Sequence, residues 1–410
     1  MRILIFGSYI DASQCNSIER THKEVPSYSG NIYQRNLLEG FEEIGSDVHY
    51  FSFPAFGSYP NSSKLLYIKR ILTNKRNITY LSYINIFGIR LISRFLKLRS
   101  ELKRYIKQIP ETEPVVIVIW GIHTPFLLNA LLLKKDNSHN ILIFQYVLDL
   151  PEYMIFGRNR TKFYQLLKKI DRKIINRCLS FINYFILLSD SMKDRLMIQK
   201  GQYFVFNGLL SQKQIDFVRK IKSDSDEKNQ RKTYRIVYTG AISERYGVPN
   251  LVKAFLLANI PDSELILCGT GDAVGLVLDY SRSDIRVKYL GVLSPDDAVR
   301  VQVSADLLVN PRQNNGEYTK YSFPSKIFEY LIVGVPILCY KLDGIPLEFD
   351  EVLNYIEGDS IENFAKALIH SQNFINPQDN KNLEAIINKN LNINIARTII
   401  GIIEEQVVDE

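Results

Sequence analysis

The chain has 410 residues, 46% of them hydrophobic and 23% charged, with a formal net charge of +7. That length exceeds one ordinary core and predicts two domains of about 200 residues each, soluble and globular in composition. The four cysteines, Cys15, Cys178, Cys268 and Cys339, are too widely spaced for a zinc site or a disulfide framework, which points to reduced cytoplasmic thiols.

Met1–Gly7 is an apolar run too short for a signal peptide or a membrane span. No uncharged apolar run of about 18 residues follows it. The expected location is therefore the cytoplasm. Short apolar strands then alternate with helical patterns. The first half offers strands at Arg2–Phe6, Asp47–Phe51, Val115–Trp120, Ile141–Tyr146, Tyr184–Leu188 and Tyr203–Phe206. The second offers Arg235–Thr239, Glu264–Cys268, Arg286–Tyr289, Asp306–Val309 and Pro336–Tyr340. Helical spacing marks Tyr33–Ile44, Val248–Ala258, Pro295–Ser304 and Pro324–Val333 between them.

Alternation of this kind predicts an α/β fold of doubly wound parallel sheets. The pattern stops near Gly208 and restarts near Arg235, so two sheets are expected. The boundaries are an N-terminal domain over 1–210, a polar linker over 211–232 and a C-terminal domain over 233–389. A last helix over about 390–410 packs back on the first domain. Asp224-Ser-Asp226 has the spacing of a metal-holding DxD, but it lies in the solvated linker with no strand to position it.

Three loops follow strands of the second domain, on the edge where such sheets bind ligands. The first, Thr239–Gly247, has Gly240 for close backbone approach and Arg245 to neutralise a diphosphate. The second, Cys268–Asp272, contains Gly269 and Gly271 in a tight turn beside which a flat base fits. The third runs through Arg312, Tyr321, Ser322, Phe323 and Pro324 into a helix carrying Ser325, Lys326 and Glu329. A helix start with an adjacent lysine suits a phosphate, and a carboxylate one turn deeper suits sugar or ribose hydroxyls. Glycine after a strand is also ordinary turn chemistry, so the argument rests on three loops in one order.

That order, closing in Phe323-Pro-Ser-Lys-Ile-Phe-Glu-Tyr-Leu-Ile-Val-Gly-Val-Pro336, resembles the retaining glycosyltransferases of family 4. It looks most like the bacterial branch that builds capsular and extracellular polysaccharides. The resemblance covers residues 233–370 well. It covers the first domain more loosely, through Tyr28–Leu38, Trp120–Pro125 and Leu148–Tyr153. It implies the GT-B fold, two facing Rossmann-like domains with the acceptor on the first, the nucleotide-sugar donor on the second and reaction in the cleft. It also implies front-face transfer with retention, Arg245, Lys326 and the helix terminus stabilising the leaving diphosphate. No divalent metal and no cofactor is required.

Carried over by motif, Glu329 matches the second glutamate of the family's pair, which contacts the donor ribose. The first falls on Tyr321, and the family's basic pair in the first loop falls on Ala241 and Tyr246. Arg245, Lys326 and Arg312 are the substitutes. In the first domain Gly30 and Asn31 precede a helix, where the family brings a loop to the diphosphate and acceptor. His123 suits either a substrate contact or a structural hydrogen bond. Asp149 suits either acceptance of the acceptor hydroxyl's proton or a turn before proline. An epimerase of the same architecture and a catalytically inactive binding partner remain the rival readings.

Twelve basic residues lie between Lys64 and Lys107 against one acid, Glu101. Eight more fall between Arg158 and Arg177. Both groups are interleaved with apolar residues, which suits an anionic membrane surface holding a lipid-linked glycan. A solvated helix face is the plainer alternative. Nucleic acid is disfavoured because no recognition module accompanies the charge.

Overall fold

The computed structural model describes residues 1–11, 14, 28–60, 63–136, 139–150, 162–224, 232–377 and 381–408. The chain divides into two compact units, Met1–Leu209 with Asn392–Glu410, and Leu210–Leu391.

In the first unit, β1 (Arg2–Gly7) leads to helix α1 (Tyr28–Glu43) and β2 (Asp47–Ser52). A small antiparallel pair, β3 (Tyr67–Ile68) and β5 (Tyr83–Ile84), brackets β4 (Ile78–Tyr80). Helix α2 (Ile89–Tyr105), β6 (Val115–Trp120), α3 (Thr124–Asp136) and β7 (Ile141–Val147) follow. Then come α4 (Lys162–Leu179), β8 (Tyr184–Leu187), the short α5 (Met192–Leu196) and β9 (Tyr203–Val205). Seven strands pair in the order β4-β2-β1-β6-β7-β8-β9, all parallel. Every residue of β6, Val-Val-Ile-Val-Ile-Trp, is buried, as expected of a central strand covered on both faces.

The closing helix Asn392–Val408 belongs to this first unit. Glycine explains its close approach to α1. A Cβ on Gly40 would stand 2.5 Å from the Asn392 carbonyl oxygen, and Asn392 Nδ2 donates to the Asn36 carbonyl at 3.2 Å.

The second unit opens with a helix where a linker was expected. Helix α6 (Gln212–Ser223) starts on a capping box in which Ser211 and Gln214 bond reciprocally, worth about 1 kcal/mol. It buries Ile215, Val218 and Ile221 at helical spacing. The polar composition of 211–232 hides those three positions. Asp224 caps the helix C-terminus, while Asp226 lies outside the described residues.

Beyond it run β10 (Tyr234–Thr239), α7 (Val248–Ala258), β11 (Ser263–Cys268), α8 (Val274–Ser283) and β12 (Val287–Gly291). They are followed by α9 (Pro295–Val303), β13 (Leu307–Asn310), α10 (Lys326–Val333), β14 (Ile337–Cys339), β15 (Asn354–Tyr355), α11 (Ile361–His370) and α12 (Lys381–Lys389). The parallel order is β12-β11-β10-β13-β14-β15. Strand order reverses between β1 and β6 in one sheet and between β10 and β13 in the other. Open parallel sheets take ligands beside such a reversal, at the carboxyl ends of the strands.

Candidate functional site

At the β10/β13 reversal, three loops are locked together through glycines. A Cβ on Gly269, which has φ +139, would fall 1.8 Å from the Gly240 carbonyl oxygen. One on Gly271 would fall 2.2 Å from the Ile242 oxygen, and one on Gly247, at φ +73, 2.2 Å from the Pro311 oxygen. Backbone bonds complete the join, with Gly240 N–H donating to Cys268 and Ile242 N–H to Thr270, both at 2.9 Å. Gly269 and Gly271 thus bring two loops to near contact. Their Cβ directions point at the neighbouring loop, so the two glycines serve this close packing.

Tyr330 fastens α10 to the end of β10. It is fully buried, and its hydroxyl accepts from Thr239 N–H at 3.0 Å and lies 3.3 Å from the Thr239 carbonyl. Burial pushes the phenol far above its ordinary pKa, so it stays protonated. Phe323 is buried against Phe328 and Phe349, with ring centroids 5.1 and 5.0 Å away. Its side chain anchors the third loop in the core, in place of the donor contact expected from sequence.

The charged groups converge on this frame. Arg245 and Arg312 both lie against Tyr318, their guanidinium carbons 4.3 and 4.8 Å from its ring centroid. Arg312 also lies 5.6 Å from the Tyr246 ring, and its Nη2 donates to Ser322 Oγ at 2.9 Å. Ser322 Oγ in turn donates to the Tyr318 carbonyl at 3.1 Å. Tyr318 was not singled out in the sequence, because an aromatic in a polar loop carries no spacing signal. Tyr321 ends a 3-10 turn over Glu317–Tyr321, and Glu317 is exposed.

Helix α10 begins at Lys326, two residues later than expected. Ser325 is its N-cap residue but has helical dihedrals and makes no side-chain capping bond. Ile327 N–H already donates to the Pro324 carbonyl at 2.9 Å, so of the first turn it is the Lys326 N–H at the helix start that is not capped by a side chain and suits an anion. Lys326 Nζ is 2.5 Å from Glu329 Oε2. Among the described residues no cluster of three or more His, Cys, Asp or Glu side chains is placed to hold a metal ion.

In the first unit, Gly30 and Asn31 lie inside the first turns of α1, not in a loop before it. Asn31 holds the loop after β1, accepting from Ile10 N–H at 2.7 Å and donating to its carbonyl at 2.6 Å. Both bonds are structural. Asp149 follows β7 and is exposed. His123 follows β6, with Gly121 at φ +72 making the turn. Its ring is solvent-exposed yet crowded, and desolvation, then Arg94, Arg90 and Lys168, lower its pKa to about 4.

Residues 233–372 match the family model described as Glycosyl transferases group 1. No curated protein matches the chain. Among solved structures, a sucrose-phosphate synthase from Thermosynechococcus elongatus superposes with a TM-score of 0.65 at 16% identity, covering 100% of both chains. The lipopolysaccharide outer core galactosyltransferase WaaB gives 0.63 at 15% identity, covering 99% of this chain and 100% of that one. An alpha,alpha-trehalose 6-phosphate synthase from Burkholderia multivorans gives 0.64 at 8% identity, covering 100% of this chain and 97% of that one. At these identities the structural likeness establishes the fold, which is GT-B. The chain is an enzyme of glycosyl transfer, with a glycosyl transferases group 1 domain at residues 233–372.

Proposed function

We propose that the chain is a retaining glycosyltransferase of family 4. It moves a sugar from a nucleotide diphosphate to a hydroxyl of a lipid-linked glycan, in bacterial surface polysaccharide synthesis. The observation that carries the donor assignment is the uncapped start of α10 with Lys326 and Glu329, beside Arg245 and Arg312 on Tyr318.

In this reading the helix N–H groups, Lys326 and the two arginines take the diphosphate, and Glu329 takes ribose hydroxyls. The bond from the anomeric carbon to the phosphate oxygen breaks, and its electron pair leaves with the diphosphate. The acceptor oxygen bonds to the same face of the sugar, and its proton passes to Asp149. His123, neutral at physiological pH, is assigned to hydrogen bonding with acceptor or sugar hydroxyls. Charge on the leaving group is met by fixed cations, so the reading needs no metal and no cofactor.

The reading also places the protein at the inner face of the plasma membrane. Support comes from the outer side of α2, where Ile92 and Leu96 are exposed on the same helix as the exposed Lys103 and Arg104, and from the β3–β4 loop, where Arg70 and Leu72 are exposed. Among the described residues no helix is long and apolar enough to cross a membrane. Flotation with anionic vesicles at low salt checks this, and absence of binding removes the membrane from the proposal.

The central test is thermal-shift screening against UDP-, GDP-, ADP- and dTDP-sugars with wild type and Glu329→Ala. One donor should stabilise the wild type and lose most of its effect in the variant. An equal response in both sinks the assignment of Glu329. Transfer of radiolabel from that donor to membrane extract separates a transferase from an epimerase or an inactive binder.

A further inference from the structure

Helix α2 turns two arginines of the basic stretch inward. Arg90 and Arg94, one helical turn apart, are partly buried and point at the loop after β2. Arg90 Nη1 donates to the Phe56 carbonyl at 3.2 Å. Arg94 Nη2 reaches the Pro54 carbonyl at 3.5 Å. The Arg94 guanidinium lies 4.0 Å from the Tyr83 ring centroid and 5.6 Å from that of Phe53. Its Nε is buried without a hydrogen-bond partner. These residues flank the β1/β6 reversal of the first sheet, since the Phe53–Phe56 segment follows β2 and His123 follows β6.

The arrangement is electrostatically unbalanced. Neither arginine makes an ion pair among the described residues, and the bonds they make go to neutral carbonyls. The nearby carboxylate of Asp171 is taken by Thr124 and Lys168. Burial, and next the charge of Arg94, lower the Arg90 pKa, and desolvation, followed by the same cations, keeps His123 neutral. Two like charges held together in partial burial cost free energy unless an anion joins them. Aromatic faces and carbonyls fix the forks in place, which lowers the ordering cost of binding.

We infer that Arg90 and Arg94 form a seat for a doubly charged phosphate group, with His123 beside it as a neutral hydrogen-bonding partner. As a statement about the acceptor, this rests on the reading of the first unit as the acceptor-binding one. It assigns a phosphorylated acceptor, whose phosphate is either a sugar phosphomonoester or the diphosphate of a lipid carrier.

Isothermal titration of the full chain with glucose 6-phosphate, and separately with farnesyl diphosphate, tests the seat and separates its two sources. Binding of one probe alone identifies the phosphomonoester or the lipid diphosphate, and binding of both identifies the phosphate charge itself. Arg90→Gln removes only one carbonyl bond from the fold and should weaken the bound probe about tenfold or more. Arg94→Lys, which keeps charge but loses the planar fork, should weaken it several-fold. The pair R245Q/K326Q in the second unit should leave it nearly unchanged. No binding of either probe, binding indifferent to both first-unit variants, or binding lost only in R245Q/K326Q overturns the seat. None of these readouts needs donor or turnover, so absent sugar transfer with intact phosphate binding would count against the transferase and leave the seat standing.

Discussion

Lys326 Nζ and Glu329 Oε2 stand 2.5 Å apart across the first turn of α10, so the two groups assigned to phosphate and ribose already neutralise each other. A diphosphate arriving at the helix terminus competes for Lys326 and frees the Glu329 carboxylate for hydroxyls. Glu329→Ala removes the ribose contact but also releases the lysine. Nucleotide-sugar affinity should fall roughly tenfold or more, while affinity for inorganic pyrophosphate should hold or rise. Parallel titrations with the two ligands check this. A matched loss of both would mean that the pair is needed only to keep the helix start in shape.

Tyr318 sits against both Arg245 and Arg312, and a cation over an aromatic face is worth about 0.5–2 kcal/mol. Its role is to position the two guanidinium groups. Tyr318→Phe keeps the face and should leave donor affinity within about twofold. Tyr318→Leu should weaken it roughly fivefold to tenfold, with little change in melting temperature because the residue lies in a half-exposed loop. A Phe variant as weak as the Leu variant would move the role from the ring to the hydroxyl.

Much of this frame was legible because strand and helix periods are written in apolar spacing. Val115–Trp120 and Val248–Ala258 appear in the structure with the residues expected. The short edge strands Ile78–Tyr80 and Asn354–Tyr355 were missed, since two or three residues show no period. Helix α6 was missed because Ile215, Val218 and Ile221 are diluted by lysines. In the site, Lys326 and Glu329 were legible from one helix turn, within a single stretch of chain. Tyr318 was not, because its meaning depends on Arg245, more than seventy positions earlier. Composition also could not divide the basic stretch into an outer face and the inward Arg90 and Arg94.

His123 has a pKa lowered to about 4 by desolvation and by Arg94, Arg90 and Lys168. In the unfolded chain an imidazole titrates near about 6.5. Between those values the unfolded state binds the extra proton, so this group's contribution to stability falls as pH drops from about 6.5 toward 4. NMR of the imidazole resonances, assigned by loss in His123→Gln, should show no titration of this ring between about pH 5.5 and 8. A midpoint near about 6.5 would mean that neither desolvation nor the three cations act on it. Saturating phosphate at the Arg90–Arg94 seat should raise the midpoint, since a bound anion offsets those charges.

Glu264 is buried between Arg235, whose Nε is 2.5 Å from it, and Lys288. Arg235 on β10 stands opposite Glu264 on β11, while Lys288 on β12 stands opposite Ile266, two residues along, and reaches back to it. Burial raises the carboxyl pKa, but the hydrogen bonds from Lys288 and Arg235 outweigh it, and the net shift is downward. A depressed folded pKa gives stability that is fully present above the unfolded value of about 4.3 and is lost as pH falls through the folded value. Glu264→Gln leaves Arg235 without its charge partner on a largely buried strand. With Lys288 half exposed and screened by water, the cost should be about 2 kcal/mol at pH 7. Urea unfolding at pH 7 should show that loss, and the gap between variant and wild type should narrow as pH falls toward 3. A gap that stays constant with pH would assign the cost to packing, because only the charge on Glu264 is titrated away over that range.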